Sequence, residues 1–221
     1  SQDNLEEFNN YIHDIIFNEN RPFPLTESFS ENTPLILDLD ILYENVEQKR
    51  YYTDETLKQL CNLIYKRITY YFECLNGYPE ECWINEKTRP TFVDGNVKDG
   101  LHIIFPNIVG KTKIFKEFIK KFYENEEVCE EIIEIFRTTS VDNIMPSNDV
   151  NKIFDSNVQR WFVYGCGKPE KEPYLLTKII DCKENKFVEN TLDTRTIMNR
   201  VCIVKEREEN ITYKHDIDNI F

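Results

Sequence analysis

Apolar residues recur along this chain at two different spacings, and each spacing predicts a different kind of secondary structure. In residues 3–19 and 53–71 they recur every three or four positions, which predicts two amphipathic helices. Thr53 can cap the second helix, and the acidic residues that follow it suit the helix dipole. The helical spacing returns in residues 111–123, which are basic, and 124–136, which are acidic. We expect a break between these last two helices, where the charge changes sign.

Shorter apolar runs bounded by turn residues predict strands. The most apolar runs are residues 34–43 (PLILDLDILY), 101–106 and 174–181. The polar, turn-rich residues 86–100 are predicted to form a loop. Further short strands are predicted at residues 82–84, 161–164, 187–188 and 200–205. Because helices and strands interleave without a regular βαβ order, the predicted fold class is α+β with an N-terminal helix.

These elements divide the chain into three regions. Residues 1–33 contain the N-terminal helix and a polar linker, which we expect to pack on the core. Residues 34–205 contain the remaining elements and are long enough for one domain with a hydrophobic core. Residues 206–221 form a highly charged C-terminal tail.

Two aspartates interrupt the apolar run of residues 34–43. Side chains alternate between the two faces of a strand, so Asp38 and Asp40 point the same way, about 6–7 Å apart. Two carboxylates on an otherwise apolar strand are costly unless a cation meets them. A divalent metal is one candidate for that cation. The alternative is that one aspartate caps the strand and the other pairs with a lysine.

Three other places in the sequence carry residues that could take part in catalysis or in ligand binding. His102 alternates with Leu101 and Ile103, so it faces away from them, although a histidine bonded to a backbone carbonyl would give the same pattern. Asp155 follows two apolar residues, as a catalytic carboxylate or a turn residue would. Residues 164–168 (YGCGK) could turn backbone N–H groups and a lysine toward an anion, or form an ordinary hairpin turn.

Composition narrows the functional classes. The formal charge is −13, from 27 basic and 40 acidic residues, which counts against tight non-specific binding of nucleic acid but allows a local basic groove. The helix at residues 111–123 could meet template phosphates, or its lysines could simply be solvated. Trp83 and Trp161 could stack on bases, although core packing explains them as well.

The seven cysteines form no CxxC pair, which indicates reduced thiols and no zinc ribbon. No apolar run is long enough to cross a membrane, and the polar N-terminus does not resemble a signal peptide, so we expect no membrane association.

The order of these motifs resembles the archaeo-eukaryotic primase (AEP) superfamily, especially the primase domains of primase-helicases of nucleocytoplasmic large DNA viruses, including the poxvirus type. Its first motif, an apolar run with two aspartates, matches residues 35–40. Its second, a small residue two positions before a histidine, matches residues 100–102, with Lys98 four positions before the histidine. Its third, an apolar residue and an aspartate, matches residues 154–155, and a downstream strand end resembling YGSSK matches residues 164–168.

The resemblance spans residues 34–180, and residues 172–174 also fit it. Serine is common at the small position of the second motif, where this chain has Gly100. The third motif is the shortest match, and Asp149 lies close enough in sequence to compete with Asp155. The implied fold is an AEP catalytic core of mixed sheets with flanking helices and an RRM-like unit, here within residues 34–205.

The resemblance implies a template-directed nucleotidyltransferase, a DNA primase or primase-polymerase, that makes primers on single-stranded DNA by two-metal-ion catalysis. Asp38, Asp40 and Asp155 would bind Mg²⁺ or Mn²⁺, and His102 would join them as a catalytic residue. His102 and Lys98 would hold the nucleoside triphosphate. Two further cations, Lys168 and Arg160, would neutralise its phosphates. A helicase domain in the same full-length chain, and a location in the host cytoplasm or at a viral replication site, are implied as well.

Two alternatives remain at this stage. A strand ending in DLD also opens haloacid-dehalogenase-like phosphatases, but Ile41 and Leu42 do not fit the residues expected there. The same fold could also serve as a non-catalytic replisome or nucleic-acid-binding module.

Overall fold

The computed structural model describes residues 2–21, 23–74 and 80–214. The helices in this part of the chain are α1 (Gln2–His13), α2 (Asp54–Tyr71), α3 (Thr112–Glu124), α4 (Glu126–Thr139), α5 (Val150–Ile153) and α6 (Thr194–Val201). A π-helical turn, Asp14–Asn18, extends α1, and a 3-10 turn, Val141–Asn143, follows α4. The strands are β1 (Thr26–Ser28), β2 (Asn32–Glu44), β3 (Phe72–Cys74), β4 (Glu81–Glu86), β5 (Thr91–Val93), β6 (Asn96–Lys111), β7 (Phe154–Asp155), β8 (Arg160–Phe162), β9 (Leu175–Asp181), β10 (Lys186–Val188) and β11 (Ile211–Tyr213).

One antiparallel sheet organises the molecule. Its strand order is β10-β9-β4-β6-β2-β7, and β5 pairs with β6 as a short hairpin partner. The two longest strands, β2 and β6, lie side by side near its centre. The α+β class and the N-terminal helix are therefore confirmed.

The two faces of the sheet are covered differently. Alternate residues of β2, such as Leu37 and Leu39, pack with α2, α3 and α4 in the larger hydrophobic core. The residues between them face the other way, where Ile36 and the β6 residue Ile104 pack with side chains of α1 and α6. Because Asp38 and Asp40 share the face of Ile36, the fold directs both carboxylates away from the larger core.

Two predictions about secondary structure were wrong. Residues 86–100 are not a loop: β5 and β6 form a hairpin within them, and β6 runs well beyond the strand predicted at 101–106. The polar residues at the start of β6 are satisfied by partners elsewhere in the chain, since Arg50 binds Asp99 and Asp40 binds Lys98. The strand predicted at residues 200–205 is also wrong, because its start belongs to α6.

Two small sheets attach residues 26–28 and 211–213 to the rest of the fold. β1 pairs with β8, and the carboxylate of Glu27 in β1 accepts hydrogen bonds from the backbone N–H groups of Ile203 and Val204. β11, which lies within the charged tail of residues 206–221, pairs with β3, and Ile211 is buried in the larger core. The N-terminal helix packs against α6.

No helix in the described part of the chain combines the length and the apolar character that a membrane span requires.

Candidate active site

The sheet register brings four residues from three strands into one row. Asp38 in β2 lies opposite His102 in β6 on one side and Asp155 in β7 on the other. Asp40 lies two residues further along the same face of β2, opposite Gly100. Residues that pair directly across antiparallel strands have their side chains on the same face. The row therefore gathers three carboxylates and an imidazole from positions far apart in the sequence.

These residues form the floor of a cleft of about 310 Å³. The chain between Asn157 and Tyr174 lines the cleft as well and contributes Arg160 and Lys168. Every residue predicted for the site lines this cleft: Asp38, Asp40, Lys98, His102, Asp155, Arg160 and Lys168.

Asp38 is the most buried of the three carboxylates. Burial, together with the negative charges of Asp40 and Asp155, raises its pKa to about 7. The positive charges of Lys98 and Lys87 act in the opposite direction but do not cancel the effect. The row thus concentrates more negative charge than its lysines neutralise, which is the condition under which a cation binds favourably.

The other two carboxylates have partners within the chain. Lys98 donates to Asp40 at 2.7 Å, the lysine pairing that was the alternative to metal binding. Asp155 is exposed and accepts a hydrogen bond of 2.8 Å from the backbone N–H of Asn157. Asp149, the competing candidate, is exposed outside the cleft lining and pairs with Lys152 at 2.9 Å. Asp155 and not Asp149 therefore shares the cleft with Asp38.

His102 is enclosed by two aromatic rings. Its ring centroid lies 4.2 Å from that of Trp161 and 3.7 Å from that of Tyr174, which stacks on it. Burial lowers the pKa of His102 to about 3, and the positive charge of Lys87 contributes to the same effect. The imidazole is therefore neutral at physiological pH, and its contact of 3.5 Å with Asp38 is not an ion pair. Its nitrogens can bind a ligand through hydrogen bonds but add no positive charge.

A family model described as the C962R protein N-terminal AEP domain matches residues 1–180 of this chain. The chain belongs to this family. The resemblance to the AEP superfamily is thereby confirmed, and the row of acidic residues and histidine lies on the sheet of an AEP domain. A primase-family function follows at the level of the superfamily.

One curated relative gives the family a viral context. A protein of Acanthamoeba polyphaga mimivirus that is named as a helicase, L207/L206, is 28% identical over 158 residues. The alignment covers 69% of this chain but 15% of the relative. The chain therefore corresponds to a small part of that much longer protein.

The three aspartates of the cleft carry carboxylate oxygens, the type of atom that Mg²⁺ and Mn²⁺ prefer as ligands. Within residues 2–21, 23–74 and 80–214, no group of three or more His, Cys, Asp or Glu side chains is arranged so that it could hold a metal ion. Asp40 is turned toward Lys98, and Asp155 toward its own loop. Asp38, Asp40 and Asp155 nevertheless line one cleft, so the chemistry of these side chains suits a divalent cation although their present directions do not form a site for one.

Sequence reasoning missed three residues of the cleft wall: Lys87, Lys171 and Tyr174. Lys87 fell within the predicted loop, and only the pairing of β4 with β6 places it beside the site. Tyr174 matched the family pattern but received no role. A Cβ atom at Gly100 would lie 2.1 Å from the hydroxyl oxygen of Tyr174, so the absence of a side chain at position 100 makes room for this ring.

The two tryptophans and the basic helix have distinct positions. Trp83 is completely buried and cannot stack on a base, whereas Trp161 lines the cleft against His102. In the basic helix, Lys116 donates to the carbonyl of Val158 at 2.7 Å and its ammonium lies 4.9 Å from the ring centroid of Phe29. A template role for the other lysines of this helix stays a prediction.

Proposed function

We propose that this chain is the catalytic domain of a DNA primase or primase-polymerase, a nucleotidyltransferase that joins nucleotides on a single-stranded DNA template. The observation that carries the proposal is the row in which Asp38 lies between His102 and Asp155, with Asp40 two residues along the same face. The membership of the AEP family supports it independently.

In this proposal Asp38, Asp40 and Asp155 are the residues that would hold Mg²⁺ or Mn²⁺. When bound, the divalent cations would stabilise charge on the attacking and leaving oxygens of nucleotidyl transfer. Asp38 would be the central ligand, because Asp155 lies opposite it in β7 and Asp40 lies two residues along the same face of β2. Asp40 would bind the cation in place of Lys98. The Lys98 ammonium would then be free to bind the phosphates of the nucleotide.

The remaining residues would bind and orient the nucleoside triphosphate. His102, held by Trp161 and Tyr174, offers a hydrogen bond in a fixed direction. Lys168 and Arg160, which also line the cleft, would neutralise phosphate charge as pyrophosphate leaves. The cleft lining supports this role, since it carries five cationic side chains against four anionic ones in a chain whose net charge is −13.

The full-length protein would carry a helicase domain further along the same chain and act at a site of viral DNA replication. The helicase name of the mimivirus relative, and the small share of that relative covered by the match, support this part of the proposal.

The experiment gives the purified chain single-stranded DNA, labelled nucleotides, and Mg²⁺ or Mn²⁺. The wild-type chain should make short oligomers, and Asp38→Asn or Asp155→Asn should make none. Asp149→Asn is the matched control, because Asp149 is an exposed aspartate outside the cleft and its loss should leave synthesis unchanged. A wild-type chain that binds DNA but makes no oligomers in either metal would favour the non-catalytic module instead.

A further inference from the structure

Lys87 is a half-buried cation that is held in a defined position at the candidate active site. It follows β4 directly, and continuing the alternation of that strand directs it to the same face as His102 and Asp40. Its ammonium lies 4.7 Å from the ring centroid of Tyr174, within the range of a cation–π contact. Its backbone is fixed as well, since Arg50 donates to the carbonyl of Lys87 at 2.9 Å.

Lys87 differs from two of its neighbours, Lys98 and Lys178, in having no carboxylate within salt-bridge distance. Lys98 pairs with Asp40 at 2.7 Å, and Lys178 pairs with Glu86 at 2.9 Å. Among the described residues, no carboxylate oxygen lies within 4.0 Å of the Lys87 ammonium. Asp40 attracts the Lys87 ammonium only from beyond that distance. The cost of removing this charge from water is therefore only partly offset, and an anion bound in direct contact would offset more of it.

The other cations of the cleft do not carry the same argument. Lys168, Lys171 and Arg160 are exposed, so water can solvate their charges without a ligand. Lys87 combines partial burial, a fixed position and the lack of a salt bridge. A phosphate group suits such a lysine, because it is anionic and accepts several hydrogen bonds.

We infer that Lys87 binds a phosphate group of the polyphosphate chain of the nucleotide, with Tyr174 as the positioning residue that holds its ammonium. This inference rests on the proposed function, because it names a further binding residue of the same cleft. It adds a cation that follows β4 to the cleft residues Lys168 and Arg160, which come from another part of the chain.

The test measures binding of inorganic tripolyphosphate by isothermal titration calorimetry, without template or metal. Lys87→Met should weaken binding about tenfold, the loss expected for one hydrogen bond to a charged group, and Lys87→Arg should restore most of it. Lys66→Met is the matched control, because Lys66 is an exposed lysine on α2, which packs on the opposite face of the sheet. Equal affinity of Lys87→Met and the wild-type chain would overturn the inference.

A second measurement uses the unaltered chain. Brief acetylation with acetic anhydride, read by mass spectrometry, should modify Lys87 less when tripolyphosphate is present, while Lys66 should react equally with and without it. Equal acetylation of Lys87 in both samples would contradict the inference even if a variant failed to fold. Tripolyphosphate binding does not depend on synthesis, so a chain that makes no oligomers but shows protection at Lys87 would refute the primase function and keep the anion site.

Discussion

Gly100→Ala should destabilise this protein because of a single atom of Tyr174. An added Cβ would lie 2.1 Å from the Tyr174 hydroxyl oxygen, about 1.3 Å closer than the 3.4 Å at which ordinary contacts begin. Tyr174 cannot move away freely, since His102 stacks on its ring at 3.7 Å and Lys87 lies over it at 4.7 Å. Overpacking of this kind typically costs about 1–3 kcal/mol of the free energy of unfolding.

The double variant with Tyr174→Phe separates this cause from any other. Without the hydroxyl, the nearest atoms are Cζ of residue 174 and Oδ1 of Asp40, each 3.2 Å from the added Cβ, and shifts of a few tenths of an ångström are sufficient. Urea denaturation of the two single variants and the double variant should therefore show a favourable coupling of about 1–2 kcal/mol. Gly95→Ala serves as control: Gly95 has φ +84° and no neighbour within 4 Å, so its replacement should cost backbone strain that Tyr174→Phe does not relieve. Purely additive effects of Gly100→Ala and Tyr174→Phe would refute the reasoning.

Two further predictions concern buried charges. Arg50→Ala should lower the free energy of unfolding by about 3–5 kcal/mol, because it removes the cation that the carboxylates of Asp99 and Glu86 share. Each of these two acidic side chains is 1% exposed. Urea denaturation measures the change, and a loss below about 1 kcal/mol would contradict the prediction. Glu27 has a pKa raised by burial, so its folded form takes up a proton more readily than its unfolded form, and this group's contribution to stability should increase as pH falls through that pKa. Thermal unfolding of the wild-type chain and Glu27→Gln between pH 7 and pH 5 should show the difference shifting in favour of the wild type, and a constant difference would count against it.

The sequence was sufficient for those parts of the site that depend on local periodicity. The alternation of a strand alone places Asp38 and Asp40 on one face and turns His102 away from Leu101 and Ile103. The order of the motifs then added Asp155, although nothing local distinguished it from Asp149. The register of β2 with β7 makes that distinction, because it sets Asp155 opposite Asp38. Register depends on pairing between distant segments, which periodicity does not encode.

The parts that sequence reasoning missed have a common physical origin. Residues 86–100 looked like a loop because they are polar, yet Asp99 is buried and pairs with Arg50, 49 residues earlier in the chain. A buried polar residue with a distant partner has the same local pattern as an exposed one. Lys87 was hidden for the same reason, since its position beside the cleft depends on the pairing of β4 and β6.

The net negative charge of the chain is compatible with binding of a phosphate in the cleft, because charges act over short distances in salt solution. At an ionic strength of about 0.15 M, charges more than about 8 Å apart are largely screened. A phosphate inside the cleft therefore responds to the five cations and four anions of the lining, more than to the net charge of −13. A long template strand, by contrast, would meet a chain with 40 acidic and 27 basic residues, so this domain alone should hold DNA weakly. Under the proposed function, the helicase domain proposed for the full-length protein would supply firmer contact with the template.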